Sequence, residues 1–536
     1  LAKLPEGADK LGEIQKKRLT VTAAIVMSSI VLSRLTGFFR EILIPNMLGT
    51  NTVGDAYAIA FRITGLMYDM LVGGAIAAAL IPILSGYLAR KEEEDGWKVV
   101  GTFINVVLVA MVFVSILGMV FAPQIVDIAA WGMKKNAEAR SLAVSLTRIL
   151  FPSVAFLMLA GITNGVLNSY QKFAAAAYGP SIYNIGSVLS ILLLSHFGVK
   201  IVAVGLMCSS CIYFLVQLGF AWKNFRFYRF KFYLRHSGFR KLFSLAVPSL
   251  VSSSIVQINV IVTTSFVTFF GQGSAAALQI ADRIWQMPYG VFAQGMGIAM
   301  LPTLSADLAV GDVKAFKNTL LKGLKTVLML TIPSAVGFII LKDSVIAVVQ
   351  LTKEFSDSAA ASAGNMLRFF AIALVSQSIV TIINRAYYAN NDTKTPLYIG
   401  AGTLLLNAVL SYVLRNTQLG VSGMVLAYSA ASTLNAVLLL IILEKKMKGI
   451  VLKKLAVFLI KVIPAAIIMG IPLYFINIAV PVHSVSKPVQ YLLLAIEVFT
   501  GATVYFLTAV VMRIEEAEYV LKTLKGKISK LGKVFK

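Results

Sequence analysis

Apolar residues run along this chain in blocks of roughly twenty or more, the length at which an α-helix rising about 1.5 Å per residue crosses the hydrocarbon core of a bilayer. Fourteen such runs, bounded by charge clusters or Gly, Pro and Asn turns, lie at about 20–44, 55–88, 99–121, 142–168, 174–196, 200–221, 243–270, 277–304, 318–341, 360–389, 396–414, 420–443, 455–477 and 488–512. The pattern predicts an all-α polytopic membrane protein with fourteen transmembrane helices. Pro82, Pro152, Pro248, Pro288, Pro302 and Pro333 fall inside runs, which suits bent helices.

Composition agrees. Hydrophobic residues make up 58% of the 536 and charged residues 14%, against about 45–50% and about 25% in soluble domains. Mean hydropathy is +0.81. A soluble fold, a disordered chain and a disulfide scaffold are excluded.

The net charge of +25 sits mostly in short segments between apolar runs, as the positive-inside rule requires, and not in a basic domain that could bind nucleic acid. Lys16, Lys17 and Arg18 precede the first run. Lys223, Arg226, Arg229, Lys231, Arg235, Arg240 and Lys241 follow the sixth with no acid among them, and Lys445, Lys446, Lys448, Lys453 and Lys454 follow the twelfth. The segments 49–54 and 271–277 carry no charge and 479–488 only Lys487, whereas 124–140 is less clean, with Lys134 and Lys135. Both termini are therefore expected in the cytoplasm, with an even number of crossings. The first twenty residues are polar and basic and show no cleavable signal peptide.

An internal repeat organises the chain. AYAIAFRI at 56–63 and IPILSGYLA at 81–89 return as ALQIADRI at 277–284 and LPTLSADLA at 301–309, so Arg62 maps to Arg283 and Pro82 to Pro302, at offsets of 221 and 220. Arg148 maps to Arg368, Asn184 to Asn407, and Gly198-Val199 to Gly420-Val421. Two six-helix copies share one orientation, which predicts lobes related by an axis along the membrane normal around a central cavity. The expected organisation is a cytoplasmic tail at 1–19, an N-terminal lobe at 20–222, a basic linker at 223–242, a C-terminal lobe at 243–443, two extra helices within 444–512, and a basic cytoplasmic tail at 513–536.

Ionisable groups inside spanning helices are costly, so each is a functional candidate. Helix one holds Arg34, Arg40 and Glu41 in SRLTGFFRE. Helical spacing puts Arg34, Gly37 and Glu41 on one face and Arg40 about 120° round, where snorkelling to the interface competes with an interior position. Asp55, Arg62 and Asp69 recur every seven residues, an acid–base–acid stripe within about 40°, and the eighth run carries Asp282 and Arg283. Arginines from both copies point to an anionic substrate, because guanidinium stays charged in a low-dielectric cleft and grips phosphate or carboxylate with paired hydrogen bonds. The acids would balance them. Glu497 reads as a helix-packing partner or as part of a lipid groove.

Other chemistry is sparse. Cys208 and Cys211 form a C-x-x-C inside an apolar run and read as small packing thiols; His196, His236 and His483 lie far apart; there is no P-loop. No cofactor, metal or catalytic residue is expected, and the repeat points to a transporter.

SRLTGFFRE, GDAYAIAFRI and IPILSGYL, followed by GVLNSYQKFAAAAYGPSIYN (165–184), ADRIWQMPYGVF (281–292), LPTLS (301–305) and NRAYYANNDTKTP (384–396), resemble the MurJ (MviN-type) lipid II flippases of the multidrug/oligosaccharidyl-lipid/polysaccharide exporter superfamily. The resemblance covers nearly the whole chain. It implies fourteen helices, two lobes around a cationic cavity, and transfer of undecaprenyl-pyrophosphate-linked peptidoglycan precursor from the inner to the outer leaflet of a bacterial cell membrane. It places the family's cavity residues on Arg34, Arg40, Asp55 and Arg283, and a groove for the lipid tail on the last two helices. The chain departs from the family at Tyr68-Asp69 and Gly73-Gly74, where a basic pair and an acid-glycine step are usual, with Arg62 a substitute cation. Thr263 and Ser411 stand where acids would bind a coupling cation.

The resulting expectation is a monomeric flippase working by alternating access. Arg34, Arg40, Arg62 and Arg283 bind pyrophosphate, and Glu41, Asp55, Asp69 and Asp282 balance them. The alternatives are an exporter of another lipid-linked oligosaccharide and a cation-coupled multidrug antiporter, which wants an acidic cavity.

Overall fold

A computed structural model describes residues 28–29, 32–75, 79–390, 392–447, 449 and 451–518. The tail expected at 1–19, the start of the first run and most of the C-terminal tail lie outside the described residues. Among the described residues the secondary structure is helical throughout. The α-helices are α1 (32–48), α2 (Thr52–Ala75), α3 (Ile81–Ala89), α4 (Glu93–Val120), α5 (Ala122–Ala129), α6 (Ala137–Ser169), α7 (Phe173–Leu194), α8 (Val199–Ala221) and α9 (Ser237–Val267). They continue with α10 (Ser274–Pro288), α11 (Gly295–Ala309), α12 (Val313–Ile340), α13 (Lys342–Val349), α14 (Asp357–Ala389), α15 (Lys394–Leu414), α16 (Val421–Lys446), α17 (Val451–Ala479) and α18 (Lys487–Val511).

Ten helices among the described residues are long and apolar enough to cross a membrane. The other four apolar runs coincide with α1, with α2 and α3, with α9, and with α10 and α11. The run 277–304, expected as one helix bent by its prolines, is two α-helical pieces joined through six residues of π-helix at Tyr289–Gln294. Pro288 supplies a physical reason: it has no N–H to return to the carbonyl of Ile284, and its ring crowds that carbonyl. The run 55–88 likewise contains π geometry, at residues 79 and 80.

The chain divides into two compact units, Leu1–Ile261 and Val262–Lys536. Their helices repeat element by element. α4 and α12 each span 28 residues, α5 and α13 eight, α6 and α14 thirty-three, and each pair begins 220 residues apart. The caps repeat too. Asn136 Oδ1 accepts from Ala139 N at the start of α6 (3.1 Å), and Ser356 Oγ accepts from Ala359 N at the start of α14 (3.3 Å), each satisfying an otherwise orphaned helix N–H. Gly198 and Gly420 precede α8 and α16 with φ of +96° and +56°, a backbone that residues with a Cβ rarely adopt. The short helices α5 and α13 were not anticipated; eight residues are too few to register as an apolar block.

Within each unit one long helix is the packing centre. α6 packs against α2, α4 and α8 in the first unit, and α14 against α10, α12 and α16 in the second. Small residues on α6 (Ala143, Ala160, Gly161 and Gly165) are buried and let neighbouring backbones come close, which is how helices associate where lipid removes the hydrophobic drive. α7 and α8 show the limit of that approach: a Cβ on Gly205 would stand 2.7 Å from Ser190 Cβ. In the second unit α17 packs on α12, and α18 on α17 and α13. Tyr505 of α18 donates its hydroxyl to the Met329 carbonyl of α12 at 2.8 Å.

The turn between α14 and α15 is closed by Asp392. Its carboxylate accepts from Thr395 N (3.0 Å) and Thr395 Oγ1 (2.7 Å) and meets the Lys446 ammonium at the end of α16. Burial pushes the Asp392 carboxyl up, but the Lys446 ammonium and the Thr395 donors outweigh it and hold the group down at about 2. Because the folded value is depressed, the stabilisation is complete above the ordinary carboxylate value and is lost as pH falls through the folded one. Asp392→Asn is therefore expected to lower thermal stability by about 1 kcal/mol near neutral pH. The gap between the two proteins should close on acidification from about pH 4 to about pH 2, read from unfolding midpoints in detergent. A pH-independent gap would remove the charge from the explanation.

Candidate functional site

A charge inside a membrane protein is costly, so it pairs with other side chains, with backbone carbonyls or with a polar cavity. On α1 the sequence leaves Arg40 a choice between interface and interior, and the structure puts it inside: Arg40 and Glu41 are only 7% and 5% exposed. Arg40 Nη2 donates to Glu41 Oε1 at 2.6 Å, and Nη1 donates to Asn184 Oδ1 of α7 at 3.0 Å. The guanidinium lies 4.8 Å from the Phe61 ring centroid of α2 and 5.5 Å from that of Tyr183, so ring faces supply the remaining electrostatic support. Its Nε–H is buried with no hydrogen-bond partner among the described residues.

Asn184 also ties the two helices together, donating Nδ2 to the Ser33 carbonyl at 3.0 Å. Gly37 makes room for this: a Cβ there would meet Asn184 Nδ2 at 3.2 Å. One amide thus positions the cation and fastens α1 to α7. The acid that meets Arg40 is its chain neighbour Glu41, which helical spacing had assigned to the Arg34 face.

The other candidates lie at different depths. Arg34 is exposed two turns back on α1. Along α2 the expected stripe grades from buried Asp55 through half-buried Arg62 to exposed Asp69. Asp282 on α10 is buried and accepts from Trp285 Nε1 at 3.1 Å, while Trp285 stacks on Phe370 of α14 with centroids 5.5 Å apart. Arg283 beside it is half-buried.

The second unit repeats the asparagine joint with a threonine hydroxyl where the first has a guanidinium. Asn407 of α15 donates Nδ2 to Thr263 Oγ1 of α9 at 3.1 Å, and Ser411 Oγ donates to Asn407 Oδ1 at 3.4 Å; all three residues are buried. Both joints link residues 144 apart in the chain. Sequence reasoning used Asn184 and Asn407 only to mark the repeat and missed their role. It also passed over Arg385 of α14, whose Nε is buried without a hydrogen-bond partner among the described residues; its charge inside an apolar run was the available signal. Among the described residues no group of three or more His, Cys, Asp and Glu side chains could hold a metal. Cys208 and Cys211 are free thiols on α8.

Removing the amide at position 184 strands a charged donor, whereas at position 407 it strands the Ser411 hydroxyl donor and the Thr263 hydroxyl acceptor, both neutral. Asn184→Leu is expected to cost about 2–3 kcal/mol and Asn407→Leu about 1 kcal/mol, compared by thermal unfolding in one detergent. Equal losses would show that the charge on Arg40 adds nothing to the first joint.

Comparison with known proteins follows the same lines. A family model described as lipid II flippase MurJ matches residues 44–493. A Burkholderia cenocepacia protein named lipid II flippase MurJ is 28% identical over 426 residues, covering 78% of this chain and 82% of that one. A Haemophilus influenzae protein named probable lipid II flippase MurJ is 28% identical over 466 residues, covering 83% and 90%. A solved structure of lipid II flippase MurJ in an inward closed conformation superposes with a TM-score of 0.77 at 25% identity, covering 91% of this chain and 99% of the other. An inward-facing multidrug resistance MATE family transporter of the MOP superfamily shares the fold, with a TM-score of 0.65 at 15% identity over 80% of this chain and 98% of its own. The chain belongs to the MurJ family of lipid II flippases.

Proposed function

We propose that this protein is a bacterial inner-membrane flippase that carries lipid II, the undecaprenyl-pyrophosphate-linked peptidoglycan precursor, from the inner to the outer leaflet by alternating access. The observation that carries the reading is the family match across residues 44–493. Buried Arg40, held by Asn184 and balanced by one carboxylate, supports an anionic cargo. The protein works as a monomer with both termini in the cytoplasm.

In this reading both repeats contribute cations to the pyrophosphate: Arg34, Arg40 and Arg62 from the first and Arg283 from the second. Glu41, Asp55, Asp69 and Asp282 neutralise them when no cargo is bound, since clustered cations in low dielectric repel one another. The Arg40 Nε–H has no partner among the described residues, so it can take a phosphate oxygen without the guanidinium first giving up Glu41 or Asn184. α17 and α18 accommodate the polyprenyl tail. A negative-inside potential favours outward movement of an anion by about 2.3 kcal/mol per charge per 100 mV crossed, which drives the cycle if the loaded carrier moves net negative charge.

The test is outer-leaflet exposure of lipid II in bacteria depleted of their own flippase and expressing this chain or a variant. The intact chain should restore exposure, Arg283→Ala should lose most of it, and collapse of the membrane potential should slow what remains. Restoration by Arg283→Ala at the intact level would remove the arginine from the mechanism and leave the flippase standing. Failure of the intact chain despite normal insertion would overturn the cargo.

A further inference from the structure

The first unit contains a cavity of about 670 Å³ among α4, α6 and α8, within the range of about 300–1,000 Å³ typical of small-molecule sites. Leu108, Ile162, Phe214 and Leu218 contribute to its apolar walls, and Lys223 and Arg226 are its cationic lining residues. It takes no part in the mechanism above, since none of the arginines assigned to the pyrophosphate lines it.

The basic side of the cavity is a built structure. After α8 the chain forms a 3₁₀ helix, Trp222–Phe227, and then folds back along α4. Asn105 of α4 donates Nδ2 to the Lys231 carbonyl at 2.9 Å and accepts from the Tyr228 hydroxyl at 2.6 Å; Thr102 Oγ1 accepts from Tyr233 N at 3.0 Å. Lys172 donates to Asn224 Oδ1 at 2.7 Å. Glu93 takes Arg226 Nη2 on one oxygen and the Tyr170 hydroxyl on the other, both at 2.6 Å. Lys223 and Arg226, the latter with Glu93 as its counter-ion, thus line the cavity on a segment tied to α4 before any ligand arrives, which lowers the ordering cost of binding.

The surroundings have the composition of a membrane interface. Residues 223–241 hold seven bases and no acid, interleaved with exposed aromatics: Trp222 is 70% exposed and Phe230 61%. Trp and Tyr concentrate at headgroup depth, and basic pockets between membrane helices on the cytoplasmic side recognise anionic headgroups. An apolar slot of acyl-chain character opening beside paired cations at that depth matches one ligand chemistry.

We propose that this cavity binds an anionic phospholipid of the cytoplasmic leaflet, with an acyl chain among α4, α6 and α8 and the phosphate on Lys223 and Arg226. The inference depends on the membrane reading and the orientation of the basic segment, not on which cargo is flipped. Lipid binding here holds the connection after α8 against α4 and makes the fold of the first unit sensitive to leaflet composition.

The test uses the full chain in nanodiscs or detergent without lipid II, with lipid occupancy read by native mass spectrometry. Phosphatidylglycerol should be retained about tenfold more than phosphatidylcholine. The preference should vanish in Lys223→Gln/Arg226→Gln. Leu218→Trp, which fills the slot and leaves the cations in place, should abolish retention of both lipids at this site. Inorganic phosphate should not displace the bound lipid. Equal retention of the two lipids, unchanged retention in both variants, or displacement by phosphate alone would each overturn the proposal. Displacement by added lipid II at stoichiometric amounts would instead assign the slot to the cargo and overturn it equally. None of these readouts requires transport, so failure here is distinct from failure of the flippase reading.

Discussion

The packing around α1 in the first unit answers to a buried guanidinium whose charge other protein groups must balance. Arg40 is tolerated because a carboxylate, an amide oxygen and two aromatic faces converge on it. That convergence fixes the approach of α1 to α7, requires a small residue at Gly37, and commits Asn184 to a role no apolar side chain could fill. An ion pair in this setting is weak evidence of stability, since desolvation offsets much of the attraction. Stability alone therefore does not account for a charge in this place, which is consistent with the binding role proposed for it.

The repeat makes the point by comparison. Helix lengths, cap positions and the asparagine joint recur in the second unit, where Thr263 occupies the place Arg40 holds in the first. The scaffold does not need the cation, because a neutral hydroxyl serves the joint. What differs between the copies at this position is chemistry added to a shared framework, and the first copy carries the positive charge.

Much of this was legible in the sequence. Block length picked out ten helices long and apolar enough to cross a membrane, the 220-residue offset gave the duplication, and of the in-membrane charges singled out, Arg40, Glu41, Asp55 and Asp282 are buried, Arg62 and Arg283 half-buried, and Arg34 and Asp69 exposed. The misses have physical reasons. α5 and α13 are too short for a block criterion. The π-helix at Tyr289–Gln294 leaves the apolar pattern unbroken, so hydropathy reads straight through it. Helical spacing puts Glu41 on the face of Arg34 and says nothing of a partner for Arg40, whose long, flexible side chain also reaches its chain neighbour Glu41. Asn184 sits in a run of ordinary membrane residues, and its meaning depends on α1, 144 positions away. Sequence periodicity carries no such long-range pairing.

The π-helix between α10 and α11 has a consequence for register. A π segment accommodates a residue beyond what α geometry would place there, and each residue in an α-helix turns the next by about 100°. Everything from Gly295 onward is therefore presented on a face offset from the one it would occupy on an uninterrupted continuation of α10. The amphipathic pattern must be counted separately on each side of Tyr289–Gln294, and a periodicity carried across the junction assigns the residues of α11 to the wrong neighbours.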